Sequence, residues 1–246
     1  MFAHVPRSFP QPGHRYDVAV VGAGLAGCEV ASRLARAGRD VLLVTQSLDS
    51  VANLFHARVP GPFPPSSLME EARRAVSPDE TPWALHREVK GRLEAQSGVH
   101  LLQSCVSSLE PAVGDAPHRL LTWEGPSLSA DAVVLAVGSF LRGRLRAGTV
   151  EEEAGRLTEV AYDFLADDLA ARGVTFEERE DVWAGESGAG GALPYAVRYL
   201  TLAPSELDGF ALRRWPHVFA VGRCTPGDVT YASAVEAGSR LAGVLA

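Results

Sequence analysis

The sequence predicts an α/β fold whose core is a parallel β-sheet. Short runs of apolar, β-branched residues alternate with stretches in which apolar residues recur at helical spacing. A glycine-rich turn joins the first apolar run, 18–21, to the first helical stretch, which stops at Gly38. Runs that are apolar throughout, such as 133–136, are typical of parallel strands with both faces covered.

Composition and charge narrow the function classes. The 246 residues are 46% hydrophobic and 22% charged, as in a globular chain with a sizeable core. No apolar run approaches the ~20 residues that cross a membrane, so no membrane partner is predicted. The formal net charge of −7 argues against nucleic-acid binding by this chain alone. Arg142, Arg144 and Arg146 could still form a local basic face, although a solvated loop is the interpretation that we favour.

The glycine-rich turn has the Gly-x-Gly-x-x-Gly spacing of a dinucleotide-binding loop. Gly22 would allow the tight turn, Gly24 would let a pyrophosphate approach the backbone, and Gly27 would let the helix pack close to the strand. The helix N-terminus that follows favours phosphates. An ordinary strand–turn–helix of another α/β domain is the alternative. The predicted cofactor contacts of the loop are Gly22, Ala23, Gly24, Leu25, Ala26 and Gly27.

The second predicted strand, 40–44, ends without the acidic residue that usually bonds the ribose of a dinucleotide. Thr45 and Gln46 stand at that position. The amide of Gln46 can donate and accept hydrogen bonds but carries no charge. We therefore expect a ribose contact that is weaker, or shared with backbone groups.

Two helices and four strands are predicted next. Ser66 or Ser67 would cap a helix that runs through Ala75, and a second helix covers 83–96. The middle two of the four strands have the alternation of an antiparallel ribbon. The strands are 99–102, 105–109, 119–123 and 132–136.

Two further strand ends carry small residues, which would let a bound dinucleotide approach the backbone. The first is Ala136 to Gly138, for which an ordinary strand end is the alternative. The second, at Val221 and Gly222, leads through a turn into a helix from about Ala232. A helix N-terminus there can stabilise the electron-rich side of a reduced flavin. This closing element favours FAD over NAD as the cofactor.

An antiparallel crossover between parallel strands is a feature of FAD-binding folds of the glutathione-reductase type. The full prediction is thus a Rossmann-like FAD-binding fold of that type, with a parallel sheet, a three-stranded antiparallel crossover and a small inserted α+β region. We predict a mobile leader at 1–15, a FAD-binding domain at 16–148 and 213–246, and a small inserted domain at 149–212. In the insert, 184–192 would be a flexible glycine-rich loop, either mobile near the substrate or, as we favour, simply disordered. Residues 210–213 would pair with a strand at 195–202.

Three motifs together resemble those of the GidA flavoproteins, which modify the wobble uridine of tRNA. They lie at 22–29, 134–143 and 221–238, and Gly27-Cys28-Glu29 is the most specific part. The resemblance covers nearly the whole chain and is strongest to short GidA-related FAD-binding proteins. It implies bound FAD, with Val106 beside the adenine. Outside the glycine loop, the implied contacts are Thr45, Gln46, Val106, Ala136, Gly138, Ser139, Gly222, Arg223, Asp228, Tyr231 and Ala232.

Parts of the full-length tRNA enzymes have no counterpart here. Their cysteine-containing loop corresponds to Ser50 to Pro60, which has no cysteine, and their Lys-Thr-Gly-Thr-Pro-Pro-Arg block has no match in 177–185. We also expect the chain to lack their helical C-terminal domain for tRNA and a partner protein, since the sequence stops at Ala246. Direct transfer of the tRNA activity is not expected.

The cysteines indicate a reducing, cytoplasmic setting. Cys28, Cys105 and Cys224 lie far apart, without the spacing of a zinc framework, so no metal site is predicted. Cys28 and Cys105 are predicted to be core residues. Cys224 is the candidate for electron exchange with the flavin, although a structural role is favoured because no second cysteine lies near it in sequence.

The leading functional prediction is a FAD-dependent oxidoreductase, with NADH or NADPH as electron donor. A non-catalytic flavin-binding accessory module, linked to tRNA modification, is the alternative from another class. An NAD-dependent dehydrogenase is a third, which the closing helix argues against.

Overall fold

The chain is built on one large β-sheet with helices packed on it. The computed structural model describes Pro10 and residues 13–54, 58–157, 159–183 and 194–246. Two short 3-10 helices cover Leu48–Ser50 and Pro204–Glu206. The α-helices of the described residues are α1 (Leu25–Arg36), α2 (Leu68–Ala75), α3 (Pro82–Ala95), α4 (Asp163–Ala171) and α5 (Tyr231–Leu245).

The strands belong to three sheets. In chain order they are β1 (Arg15–Val21), β2 (Val41–Thr45), β3 (Val99–Gln103), β4 (Val106–Glu110), β5 (His118–Thr122), β6 (Ser127–Leu135), β7 (Arg144–Ala147), β8 (Val150–Glu152), β9 (Ala154–Arg156), β10 (Glu159–Val160), β11 (Phe176–Trp183), β12 (Tyr195–Leu202), β13 (Leu207–Asp208), β14 (Ala211–Leu212) and β15 (Val218–Ala220).

Five parallel strands form the centre of the large sheet, in the order β15, β6, β1, β2 and β3. β6 pairs with three strands, since its last residues lie between β1 and β15 and its first residues also pair antiparallel with β5. β5 in turn pairs with β4. The parallel sheet and the antiparallel strands that the sequence predicts are therefore confirmed. The glutathione-reductase type of this fold stays a prediction.

One edge of the large sheet differs from the expected pairing. β14 pairs with β15, through Ala211 and Phe219, and also with β13. The prediction that 210–213 pairs with 195–202 is therefore wrong. β12 is already paired on both sides, with β11 and β7, so it has no free edge to offer.

The core divides along the two faces of β1. Val18 and Val20 point to the side of the sheet where α1, α2, α3 and α5 pack. Ala19 and Val21 point to the other side, towards β4, β5 and α4. This alternation follows from the two-residue period of a strand. Both faces of the central strands are thus covered, as their apolar sequences predict.

Side-chain caps fix where α2 and α3 begin. The hydroxyl of Ser67 accepts a hydrogen bond from the backbone N–H of Glu70 at 3.1 Å, which confirms the predicted cap of α2. Thr81 caps α3 in the same way, at 3.2 Å from the N–H of Ala84. Pro82 then occupies the first turn of α3, where a missing N–H costs nothing.

A smaller four-stranded antiparallel sheet has the order β11, β12, β7, β8, and β9 pairs with β10 beside it. Its apolar cluster includes Leu145, Val197 and Tyr199. β7 belongs to this smaller sheet but lies before the predicted start of the insert at residue 149. β13 and β14 lie inside the predicted insert, 149–212, but belong to the large sheet. The predicted domain boundaries stay a prediction. The glycine-rich loop predicted at 184–192 lies outside the described residues, as does most of the predicted leader.

The arginine cluster of the sequence consists of ion-paired side chains. Arg142 pairs with Asp167 at 2.5 Å, and Arg144 pairs with Asp163 at 2.8 Å. Arg146 lies 3.8 Å from Glu180. These acidic partners support the solvated interpretation of the cluster over a nucleic-acid face.

Of the helices in the described ranges, none combines the length and apolar character that crossing a membrane requires.

Candidate cofactor site

A cleft lies at the edge of the large sheet where β1, β2, β6 and β15 end. In open α/β sheets, ligands bind outside the carboxyl ends of the strands. Most of the predicted contacts line it. They are Gly22, Ala23, Gly24, Leu25, Ala26, Thr45, Gln46, Ala136, Gly138, Ser139, Gly222, Arg223 and Tyr231.

The loop between β1 and α1 forms the first wall of the cleft. Gly22 has φ +106°, and a Cβ added to it would lie 2.3 Å from the carbonyl oxygen of Ala136, so the turn requires glycine. A Cβ on Gly27 would lie 2.0 Å from the carbonyl oxygen of Gly22. Gly27 therefore serves the close packing of α1 on the turn and does not line the cleft.

Gly24 differs from its two neighbours in the motif. It is exposed, and a Cβ added to it would meet open space. It is also the N-cap of α1, makes no side-chain capping bond, and precedes a first turn without acidic residues. Leu25 and Ala26 of that turn line the cleft. The helix N-terminus is thus directed at open space, which suits an anion such as a pyrophosphate.

A second helix N-terminus meets the cleft from the far end of the chain. Thr230, Tyr231 and Ala234, at the start of α5, line it together with Gly222, which has φ +84°. Thr230 and Ser233 form a capping box, which fixes where α5 begins. The positive ends of two helix dipoles therefore face the same space.

The end of β6 forms a third wall. Ala136 and Gly138 line it, and Gly138 has φ +59°. The hydroxyl of Ser139 donates a hydrogen bond to the carbonyl oxygen of Gly155 at 2.8 Å. This bond attaches the wall to the segment that contains β9 and β10.

That segment contributes a polar cluster that the sequence does not predict. Arg156 on β9 and Glu159 on β10 line the cleft and form an ion pair at 3.4 Å, each with 13% of its side chain exposed. Arg156 also donates to the carbonyl oxygen of Asn53 at 3.2 Å. Burial raises the pKa of Glu159 above its ordinary value, although Arg156 and Ser50 lower it.

Tyr162 also lines the cleft. It is almost fully buried, and burial raises the pKa of its phenol. A neutral phenol is therefore present at physiological pH. No sequence signal distinguishes Tyr162 from the other aromatic residues of the chain.

Cys224 does not line the cleft. Its thiol is fully buried, lies 3.4 Å from the carbonyl oxygens of Leu135 and Val221, and has its pKa raised to about 11 by burial. Burial also raises the pKa of Cys105, to about 11, and that of Cys28. These surroundings support structural roles for the three cysteines.

The remaining predicted contacts are not part of the lining of the cleft. Val106 is buried on β4, and Ala232 is exposed on the first turn of α5. Asp228 is exposed and pairs with Arg179 at 3.1 Å. Contacts of these side chains with a cofactor stay predictions.

Comparison with known proteins identifies relatives of this architecture. The family model described as "Glucose inhibited division protein A" matches residues 17–77 and 71–180. The tRNA uridine 5-carboxymethylaminomethyl modification enzyme MnmG of Syntrophobacter fumaroxidans is 33% identical over 190 residues, which are 66% of this chain and 29% of that enzyme. The chain spans about 30% of the length of the curated relatives that it matches.

Solved structures that are similar to this chain include a GidA-related protein and GidA. The GidA-related protein from Thermus thermophilus is 42% identical and superimposes with a TM-score of 0.83, covering 94% of this chain and 97% of that one. GidA from Aquifex aeolicus is 14% identical with a TM-score of 0.75, covering 93% of this chain and 65% of that one. The second similarity shows a shared fold.

Proposed function

The chain belongs to the GidA family of flavoproteins, and we propose that it binds FAD in the cleft described above and acts as an oxidoreductase. The observation that carries the proposal is that three walls meet there: the loop at Gly24, the end of β6 and the N-terminus of α5. Bound FAD supplies two-electron redox chemistry, while the protein supplies position and electrostatics.

The residues of the cleft fit such a cofactor. The open space at Gly24 and the uncapped N-terminus of α1 would hold the pyrophosphate. Ala136 and Gly138 would let the cofactor lie along the end of β6. The N-terminus of α5, beside Gly222, would stabilise negative charge on the flavin ring. Two positive helix ends in one cleft favour a ligand with negative charge at more than one point.

The electron donor that we propose is NADH or NADPH, and the setting is a reducing cytoplasm, which the three free cysteines support. The net charge of −7 disfavours nucleic-acid binding by this chain alone.

The test is the spectrum and redox response of the purified protein. We expect flavin absorption in protein purified from cells, or binding of added FAD to the stripped protein. Mixing with NADH or NADPH under nitrogen should then bleach the visible absorption of the flavin. A protein that carries no flavin and does not bind added FAD would rule the proposal out.

A second candidate is a non-catalytic flavin-binding module that accompanies an RNA-modifying enzyme. The observation that favours it concerns side chains: the lining of the cleft, over the described residues, contains no cysteine and no histidine. Rapid flavin reduction by NADH or NADPH, with turnover to an electron acceptor, would exclude this second candidate. Stable FAD binding without reduction would favour it.

A further inference from the structure

The end of β2 lacks a carboxylate, yet a carboxylate lies beside it. Gln46 follows β2 at the position where dinucleotide folds place a ribose-binding acid. In this structure its side-chain Nε2 lies 3.5 Å from Oε2 of Glu159, and both residues line the same cleft. The two positions are 113 residues apart in the chain.

The two oxygens of Glu159 have different surroundings. Oε1 lies 3.4 Å from Nε of Arg156, which holds the side chain in place and is itself held by the carbonyl oxygen of Asn53. Oε2 has Gln46 at 3.5 Å, the outer limit of a hydrogen bond. An ionised carboxylate accepts up to about four hydrogen bonds. The Ser50 side chain also forms a hydrogen bond with this carboxylate. Arg156, Gln46 and Ser50 together leave capacity for a further donor from the cleft.

We propose that Glu159 supplies, from β10, the carboxylate that binds the adenosine ribose hydroxyls of FAD, in place of the acid that the end of β2 lacks. This inference rests on the proposed function. Gln46 then acts as a positioning residue, whose amide orients Oε2.

The burial of the Glu159 carboxylate agrees with a role in binding a hydrogen-bond donor. Glu159 is 13% exposed, and its burial disfavours the charged form more than its present neighbours favour it. A ribose hydroxyl that donates to Oε2 would form a charge-assisted hydrogen bond with this largely buried carboxylate. The gain is specific to a ligand with a ribose diol at this position.

The experiment measures the affinity for the diol directly. ADP and 2′,3′-dideoxy-ADP compete with FAD for the stripped protein, and flavin fluorescence reports the displacement. We expect wild-type protein to bind ADP at least about tenfold more tightly than the dideoxy analogue, as one charge-assisted hydrogen bond implies. Glu159→Gln should lose most of that preference.

A matched variant and a second substitution complete the design. Glu153→Gln alters a neighbouring glutamate whose side chain is 78% exposed and should keep the preference. Glu159→Asp keeps the charge but withdraws the carboxylate, and should reduce the preference even if Glu159→Gln does not fold. Each ratio is measured within one variant, so a change in overall affinity does not affect it.

The outcomes are distinguishable. Equal binding of ADP and its dideoxy analogue by wild-type protein, or an unchanged preference in Glu159→Gln, would overturn the role of Glu159 while FAD binding stands. Absence of FAD binding by the wild-type protein would overturn the proposed function, and this inference with it.

Discussion

The fully buried carboxylate of Glu29 accepts a hydrogen bond from the backbone N–H of Leu68 at 2.8 Å. The same carboxylate is 2.6 Å from Nε of Arg33 and accepts a hydrogen bond from the hydroxyl of Ser239 at 3.0 Å. It thereby connects α1 to the start of α2 and to the middle of α5.

Replacing Glu29 should destabilise the fold strongly. Glu29→Gln would remove the charge and leave Arg33 and the N–H of Leu68 poorly paired, at a cost of about 3 kcal/mol in the free energy of unfolding. Urea denaturation measures this value. Glu88→Gln is the matched control, because Glu88 and Arg92 form an equivalent i,i+4 pair at 2.7 Å that is one-third exposed.

The control should lose less than about 1 kcal/mol, since exposed pairs contribute little. Equal losses in the two variants would contradict the structural role assigned to Glu29.

Gly24→Ala should separate cofactor binding from stability. The added Cβ meets open space, and the backbone of Gly24 has φ −70°, which alanine adopts, so the free energy of unfolding should change by less than about 1 kcal/mol. FAD affinity should fall about tenfold or more, because the methyl group would occupy pyrophosphate space. Titration with FAD measures it.

Two further glycine variants serve as controls for Gly24→Ala. Gly91→Ala adds a Cβ to open space on α3, away from the cleft, and should bind FAD normally. Gly22→Ala should unfold the loop, because its Cβ would overlap Ala136. A Gly24→Ala protein with unaltered FAD affinity would refute the placement of the pyrophosphate.

Native thiols should react slowly. With a pKa of about 11, only about one in a thousand of the Cys224 or Cys105 thiols is ionised at pH 8. We expect a disulfide reagent at pH 8 to label little of the native protein and all three cysteines in urea. Cys224→Ala should still bind FAD and be reduced by the same donor. Loss of reduction in that variant would restore a redox role for the thiol.

Acid should destabilise the protein through Glu70. Hydrogen bonds from Arg73, above all, lower its pKa from 4.5 to about 2. Because the folded protein binds this proton less readily than the unfolded chain, the stabilisation is complete above pH 4.5 and is lost as the pH falls towards 2. The effect amounts to about 3 kcal/mol.

Unfolding free energies measured from about pH 6 to about pH 2 should therefore fall less steeply in Glu70→Gln than in wild-type protein. Parallel curves for the two proteins would contradict the assignment to Glu70.

Local signals made much of this fold predictable. The strand, turn and first helix around Gly22 and Gly24 follow from residues next to one another in sequence, and so does the cap at Ser67. The pairing of β14 was not predictable, because short strands carry little pattern and their partners depend on which sheet edge is free.

The polar part of the site was missed for a related reason. Arg156 belongs to the three-residue strand β9 and Glu159 to the two-residue strand β10, and strands this short carry little sequence pattern. Glu159 lies beside Gln46 only because the tertiary fold places β10 next to the end of β2, 113 residues away in the sequence. Glu29 is similar: its sequence neighbours mark a family motif, but its partners Leu68 and Ser239 come from distant segments.

The cleft is built from distant segments of the sequence, since α1 covers Leu25–Arg36 and α5 covers Tyr231–Leu245. The strand β15, which pairs with β6 and leads to Gly222, also lies close to α5 in sequence. Until these residues have left the ribosome, the nascent polypeptide lacks one of the three cleft walls. We therefore expect cofactor loading to follow the synthesis of α5, and a polypeptide interrupted before α5 to be a flavin-free species that cellular quality control recognises by its uncovered sheet.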